Sequence, residues 1–168
     1  FYGLGRTDGF EKGEFSPVLF KKDKFELLKS STIWLSETPG VIGSIGKGAI
    51  LPRILTIVKL KVIATNEKFY FLNTHFSHVS DNARAKAAEI IMEYITNNTE
   101  NLPVILTGDF NFIEKSDGYN TICGNWNNFI EMFNSHYVSE LPHEGGAQTL
   151  NLFKDSSKEL IIDYIFVS

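Results

Sequence analysis

Only one cysteine, Cys123, stands among the 168 residues, so no disulfide can form within the chain and no zinc centre can be built from its cysteines. Positive charge is in short supply: 16 Lys and Arg face 20 Asp and Glu, a net charge of −4. That balance argues against a nonspecific nucleic-acid coat and leaves room for a local patch that grips phosphate. No apolar run approaches the roughly 20 residues of a membrane-spanning helix, and no signal peptide is visible. The chain opens on Phe1 rather than Met, so a targeting signal ahead of it would not be seen and the compartment is left open. Low-complexity linkers and internal repeats are lacking too. What is present is material for a core: 43% hydrophobic residues and 14 Phe. That suffices for one domain spanning residues 1–168 and excludes a disordered or fibrous chain.

Periodicity predicts strands toward both ends and a helix between them. Residues 15–20 and 24–28 read as a hairpin around the charged turn 21–23. Gly and Pro recur so often over 30–52 that this stretch reads as a long loop, and loops of that length in compact domains are commonly functional. Residues 53–64 alternate and are rich in Ile and Val, 66–68 turn the chain, and 69–75 return it as a second strand. The best helix covers 81–96, with Asp81 placed to cap it and Ala83, Ala87, Ile90, Ile91, Tyr94 and Ile95 at helical spacing. The sequon at 97–99 reads as its polar end. Strand, helix, strand across 69–108 predicts a crossover between neighbouring parallel strands. Shorter helical pieces are expected near 118–123 and 129–133, and 159–168 closes the chain as an apolar strand.

Three of these strands carry the same anomaly. "LPVILTGDFNF" (102–112) is built for burial yet ends on Asp109 and Asn111, which in extended chain point to one side while Phe110 points to the other. "FYFLNTH" (69–75) ends on Asn73 and His75 in the same way, and Asp163 interrupts the otherwise apolar "LIIDYIFV". A carboxylate in such a strand is costly unless paired. A histidine partner suits it, since an acid that accepts the Nδ1 proton fixes the imidazole tautomer. Ligands of open α/β sheets gather beyond the carboxyl ends of strands, where the first two polar tips lie. Each feature also has a plain structural reading. Asp109 could bond its own backbone in a turn, Asp163 could face water on an edge, and His75, His78, His136 and His143 could be solvated or satisfied in place. Trp34 and Trp126 read as core or rim.

"NTHFSH" (73–78), "PVILTGDFN" (103–111) and "IDYIFVS" (162–168), in that order, resemble the endonuclease/exonuclease/phosphatase superfamily of metal-dependent phosphoesterases. "GLGRTDG" (3–9), "GEFSPVLF" (13–20), "WLSETP" (34–39), Arg53, "NARAKAAEII" (82–91) and "QTLNLF" (148–153) extend the likeness over nearly the whole chain. The resemblance implies an α/β (α+β) fold, a deoxyribonuclease-like four-layer sandwich of two mixed β-sheets flanked by helices. It also implies a monomeric, Mg²⁺- or Mn²⁺-dependent hydrolase of a phosphate ester: nucleic acid, nucleotide, sugar phosphate or phospholipid headgroup. By motif position, Asp109 resembles the residue that orients or deprotonates water, and Asn111 the neighbour that holds phosphate or metal. Asp109 and Asn111 are therefore the candidate metal ligands. His75 resembles the group that donates to a phosphoryl oxygen or assists the leaving group, with Asn73 supporting its loop and Asp163 aligning a second histidine. Arg6 and Arg84 are candidate phosphate contacts.

Compared with the family pattern, the chain lacks the upstream strands with their metal-binding Glu and the downstream segment with its final His. Lys47 and Gly48 stand where relatives usually show Trp and Asp. The expectation is an active parent enzyme and a chain that alone turns over slowly or not at all. Two other classes stay open: a noncatalytic binding module on the same scaffold, and a glycosidase using a carboxylate pair such as Glu37 and Asp109, which would not need His75 or Asn111.

Overall fold

Alternating apolar residues impose a sheet with one greasy face, and the computed structural model shows how it is assembled. It describes residues 1–124, 130–142, 144–145, 148–150 and 160–168. Trp126, His143, Phe129 and part of the 148–153 stretch singled out above lie outside the described residues. Six strands form one mixed sheet: β1 (Phe25–Trp34), β2 (Ile54–Val62), β3 (Lys68–His75), β4 (Val104–Asp109), β5 (Phe133–Asn134) and β6 (Asp163–Val167), in the order β1-β2-β3-β4-β6-β5. β3 and β4 are parallel and the other pairs antiparallel, which is the crossover expected between residues 69 and 108. Helix α1 (Asp81–Asn98) makes that crossover, and α2 (Asp117–Cys123) and α3 (Ser135–Val138) follow. The class is α+β, as expected, and of the two sheets of a four-layer sandwich the described residues form one.

Register places Ile57, Leu72, Leu106 and Phe166 side by side across β2, β3, β4 and β6. Against this row α1 buries Ala83, Ala87, Ala88, Ile91, Met92 and Ile95. Small residues in the first half of the helix let its backbone come close to the sheet, and Ile and Met fill the wider gap beyond. Phe76, Phe110 and Phe112, which follow the ends of β3 and β4, close the interior with edge-on and stacked contacts at 5.1–5.9 Å between centroids. The opposite face carries a smaller cluster of Val18, Val58 and Leu60 with Phe20, Phe25, Phe69 and Phe71 at its margin.

Four expectations need correction. Residues 15–20 do not form a hairpin with 24–28: Phe15 and Val18 make single bridges to Gly5 and Tyr2, while β1 pairs with β2. Residues 30–34, read as loop, belong to β1, an edge strand whose polar, half-exposed residues carry no apolar alternation. Ser80, not Asp81, caps α1, accepting the Ala83 N–H at 3.2 Å; Asp81 sits in the first turn and pairs with Arg84. The helical piece expected at 129–133 is contradicted where it is described, since Ile130 to Met132 are not helical and Phe133 opens β5.

Candidate active site

Sheet register brings the polar strand tips together. His75 is the cross-strand partner of Asp109, and Asp109 of Asp163, so three chemistry-bearing residues from β3, β4 and β6 form one row on the face away from α1. His75 Nε2 lies 3.5 Å from Asp109 Oδ2. The row depends on Gly108. A Cβ there would sit 2.3 Å from the Thr74 carbonyl oxygen, so only glycine lets β4 approach β3 this closely one step before His75 and Asp109.

The N-terminal segment supplies the other half of the cluster. Bridges at Tyr2–Val18 and Gly5–Phe15 fold residues 1–18 back on themselves, the chain reversing over residues 8–11 inside the Thr7–Lys12 backbone bond, with Gly9 (φ 68°) and Gly13 (φ 88°) in the left-handed region. Asp8 braces this turn by accepting the N–H groups of Phe10 and Lys12, both at 2.9 Å. Arg6 and Glu14 are thereby set face to face and form an ion pair. Trp34, buried as expected, donates its indole N–H to the Arg6 carbonyl at 2.7 Å. The same Glu14 carboxylate stands 3.5 Å from His75 Nδ1 and 3.8 Å from Arg53 Nη1. Arg53, just ahead of β2, is 5% exposed and points Nη1 at the His75 carbonyl, 3.4 Å away. The result is a continuous chain: Arg6 and Arg53 on Glu14, Glu14 on one side of His75, Asp109 on the other.

Burial governs the charges in this chain. Desolvation pushes Asp109 above the usual carboxylate range, and the nearby Asp163 adds to it, against the Asn111 N–H, His75 and Arg53. Desolvation, followed by the Arg53 charge, holds His75 below its ordinary value. Attraction between the pair would move each the other way, so here burial outweighs it. At 3.5 Å His75 Nε2 and Asp109 Oδ2 feel each other's charge, so a proton taken up by one changes the other's hold on its own.

The remaining candidates divide. Asn73 sits on the same face of β3 but is occupied structurally: its Nδ2 donates to the Pro17 carbonyl at 3.0 Å and its Oδ1 accepts from Thr107 Oγ1 at 3.1 Å. Asn111 does not continue the strand. At φ 50° it has turned, its N–H donates to Asp109 Oδ1 at 2.9 Å, and its Nδ2 holds the Phe76 carbonyl at 3.1 Å. The self-bonded turn expected as the plain reading of Asp109 is thus present. Asp163 is exposed, since Tyr164 and Phe166 take the buried side of β6, and the histidine in its row is His75, two strands away. Burial therefore does not demand a second histidine beside it. Arg84 leaves the cluster altogether, bonding the Ser77 carbonyl at 2.8 Å and Asp81. Glu37 accepts the Lys47 N–H and lines a recess that includes Arg53 but not Asp109, so the two carboxylates of a glycosidase pair do not face one space.

Two members of the cluster had no role assigned from sequence. Glu14 lies in an irregular turn with no periodicity to mark it. Arg53 did carry a signal, being a single charge inside "ILPRIL", the same anomaly that marks Asp163.

Asp109 and Asn111 offer the hard oxygens that Mg²⁺ favours, and with Nδ2 tied to Phe76 the Asn111 amide keeps Oδ1 as its acceptor. Like charge on Asp163 raises Asp109, a repulsion that a divalent cation relieves. Among the described residues no three of His, Cys, Asp and Glu are grouped as a metal cluster. This donor set fits an ion whose shell is completed by water and substrate oxygens, not an all-protein cage.

The endonuclease/exonuclease/phosphatase family model matches residues 15–168. The chain belongs to that family. Solved members include one from Bacteroides vulgatus, 33% identical over 99% of this chain and 63% of its own, with a TM-score of 0.85. A mannosyl-6-phosphatase from Bacteroides thetaiotaomicron is likewise 33% identical, over 99% of this chain and 61% of its own, TM-score 0.84. D. rerio TDP2 complexed with single strand DNA product shares the fold at 16% identity and a TM-score of 0.66, covering 95% of this chain and 60% of its own. The endonuclease/exonuclease/phosphatase chain described here thus spans about three fifths of the length of these structures. No curated protein matches it.

Proposed function

We propose that the protein carrying this chain hydrolyses phosphate esters at the His75–Asp109–Asp163 row. The observation that carries the reading is the register, which sets His75, Asp109 and Asp163 in one row, with Glu14 against His75 and the buried Arg6 and Arg53 against Glu14. A phosphoryl group in flight spreads negative charge over its oxygens and needs donors and cations fixed in advance. Arg53 and Arg6 supply that charge. Asp109, in register beside His75 and Asp163, is placed to take the proton of the attacking water. As the water oxygen bonds to phosphorus and the ester bond breaks, Asp109 keeps the water proton, and His75 in its protonated form gives one to the departing oxygen; passage of a proton from Asp109 back to His75 then resets the pair. Glu14 holds the ring by Nδ1. When bound, Mg²⁺ or Mn²⁺ at Asp109 and Asn111 would add Lewis acidity to this oxygen-rich site.

The similarity to a mannosyl-6-phosphatase, at twice the identity seen with TDP2, favours a sugar phosphate over DNA. The test is a panel of phosphomonoesters and phosphodiesters assayed with and without chelator. Hydrolysis that stops with chelation and returns with Mg²⁺ is expected; full activity after metal removal overturns the mechanism. A noncatalytic binding module is the second reading, favoured because the described residues bring no three of His, Cys, Asp and Glu together in a way that could hold a metal ion. It predicts phosphate-ester binding without turnover.

A further inference from the structure

His78 follows the end of β3 by three residues and is exposed, yet its Nδ1 lies 3.1 Å from Arg53 Nη2. A guanidinium only donates hydrogen bonds. Nδ1 must therefore be the nitrogen with the lone pair, and the ring in this contact is the neutral Nε2–H form. The Arg53 side chain is only 6% exposed. Its other contacts are longer, 3.4 Å from Nη1 to the His75 carbonyl and 3.8 Å to Glu14, and its buried Nε has no partner. The shortest anchor on a buried cation is thus an exposed imidazole outside the His75–Asp109 row. Glu14 cannot hold Arg53 alone, because the same carboxylate already serves Arg6 and faces His75.

We propose that His78 is a positioning residue: by accepting from Nη2 it fixes the Arg53 guanidinium so that Nη1 stays turned toward Glu14 and the end of β3, where a substrate phosphate would meet it. The contact stands on geometry alone, and its consequence for phosphate rests on the phosphate-ester reading above. His78 does not touch the reacting atoms. It acts by supplying one acceptor, and acceptor chemistry separates this role from simple packing.

The experiment compares His78→Ala, His78→Gln and His78→Lys in the full-length protein. Gln restores an acceptor oxygen, Ala supplies none, and Lys brings a second cation against Arg53. The first measurement is nitrogen NMR of the arginine guanidinium groups with no ligand present. Slow rotation of the Arg53 Nη groups is expected in the native protein and in His78→Gln, and fast rotation in His78→Ala. Unchanged Arg53 signals in His78→Ala overturn the proposal. The second is the inhibition constant for inorganic phosphate together with KM. Both should rise about tenfold in His78→Ala and further in His78→Lys, with kcat less affected, and stay within about threefold in His78→Gln, because misplacing a charged clamp by about 1 Å costs up to about 10²-fold. Equal losses in Gln and Ala overturn it as well. If the native protein neither binds phosphate nor hydrolyses any ester, the functional reading fails, while the NMR comparison still decides whether His78 orients Arg53.

Discussion

β3 carries two polar clusters, one on each face, and they are built on opposite terms. Toward its start, Tyr70 donates to Glu100 at 3.1 Å while Lys59 grips the other carboxylate oxygen at 2.7 Å and lies over the Tyr70 ring. Every group there is satisfied at short range. Glu100 is held below its usual range by Lys59 and then Tyr70, and burial pushes Tyr70 up to about 12. At the far end His75 faces two carboxylates, each at 3.5 Å, and burial moves both His75 and Asp109 toward neutrality. The first cluster closes its bonds and locks strand to loop. The second leaves its bonds long and its protons loosely assigned, which is what a guest with its own charge requires.

The sharpest way to break this contrast is Asp109→Asn. It should cut turnover by about 10²- to 10⁴-fold while leaving the melting temperature level or higher, because a desolvated carboxylate is removed. Steady-state kinetics beside a thermal melt checks both halves. Gly108→Ala should damage fold and site together. A methyl 2.3 Å from the Thr74 carbonyl must force β4 from β3, at about 1–3 kcal/mol or more, read from urea titration. Tyr70→Phe, at the closed cluster, should cost only about 0.5–1.5 kcal/mol and leave turnover unchanged.

The smallest effect is in the pH dependence of stability. His75 is held below its ordinary 6.5, so its contribution is present above that value and is lost as pH falls below it through the lowered folded value. Asp109 is raised above 3.8, so its contribution is full below 3.8 and fades as pH rises. The two run in opposite senses. In an Asp109→Asn background, His75→Gln should therefore flatten the melting curve below pH 6.5; an unaltered acid slope would show that His75 is not the group responsible.

Much of this was legible because burial writes a regular pattern. The row of Ile57, Leu72, Leu106 and Phe166 had to alternate, so interruptions at His75, Asp109 and Asp163 stood out against it. α1 was legible for the same reason. β1 was not: at the sheet edge, with a register shift between Leu27 and Lys29, its middle is Lys, Ser and Thr without apolar alternation, and its second half reads as loop. Glu14 escaped because its place is set by the backbone reversal between Thr7 and Lys12, and nothing local shows which strand end that reversal will reach. Asn111 was given the right neighbour and the wrong backbone, since extended alternation fails once φ turns positive.

The order of strands has a consequence for synthesis. β6 is made after β5 yet inserts between β4 and β5. Until residues 163–167 have emerged from the ribosome, the β4 backbone is a bare edge able to recruit any extended neighbour. A nascent chain paused before that point is the form most in need of a chaperone.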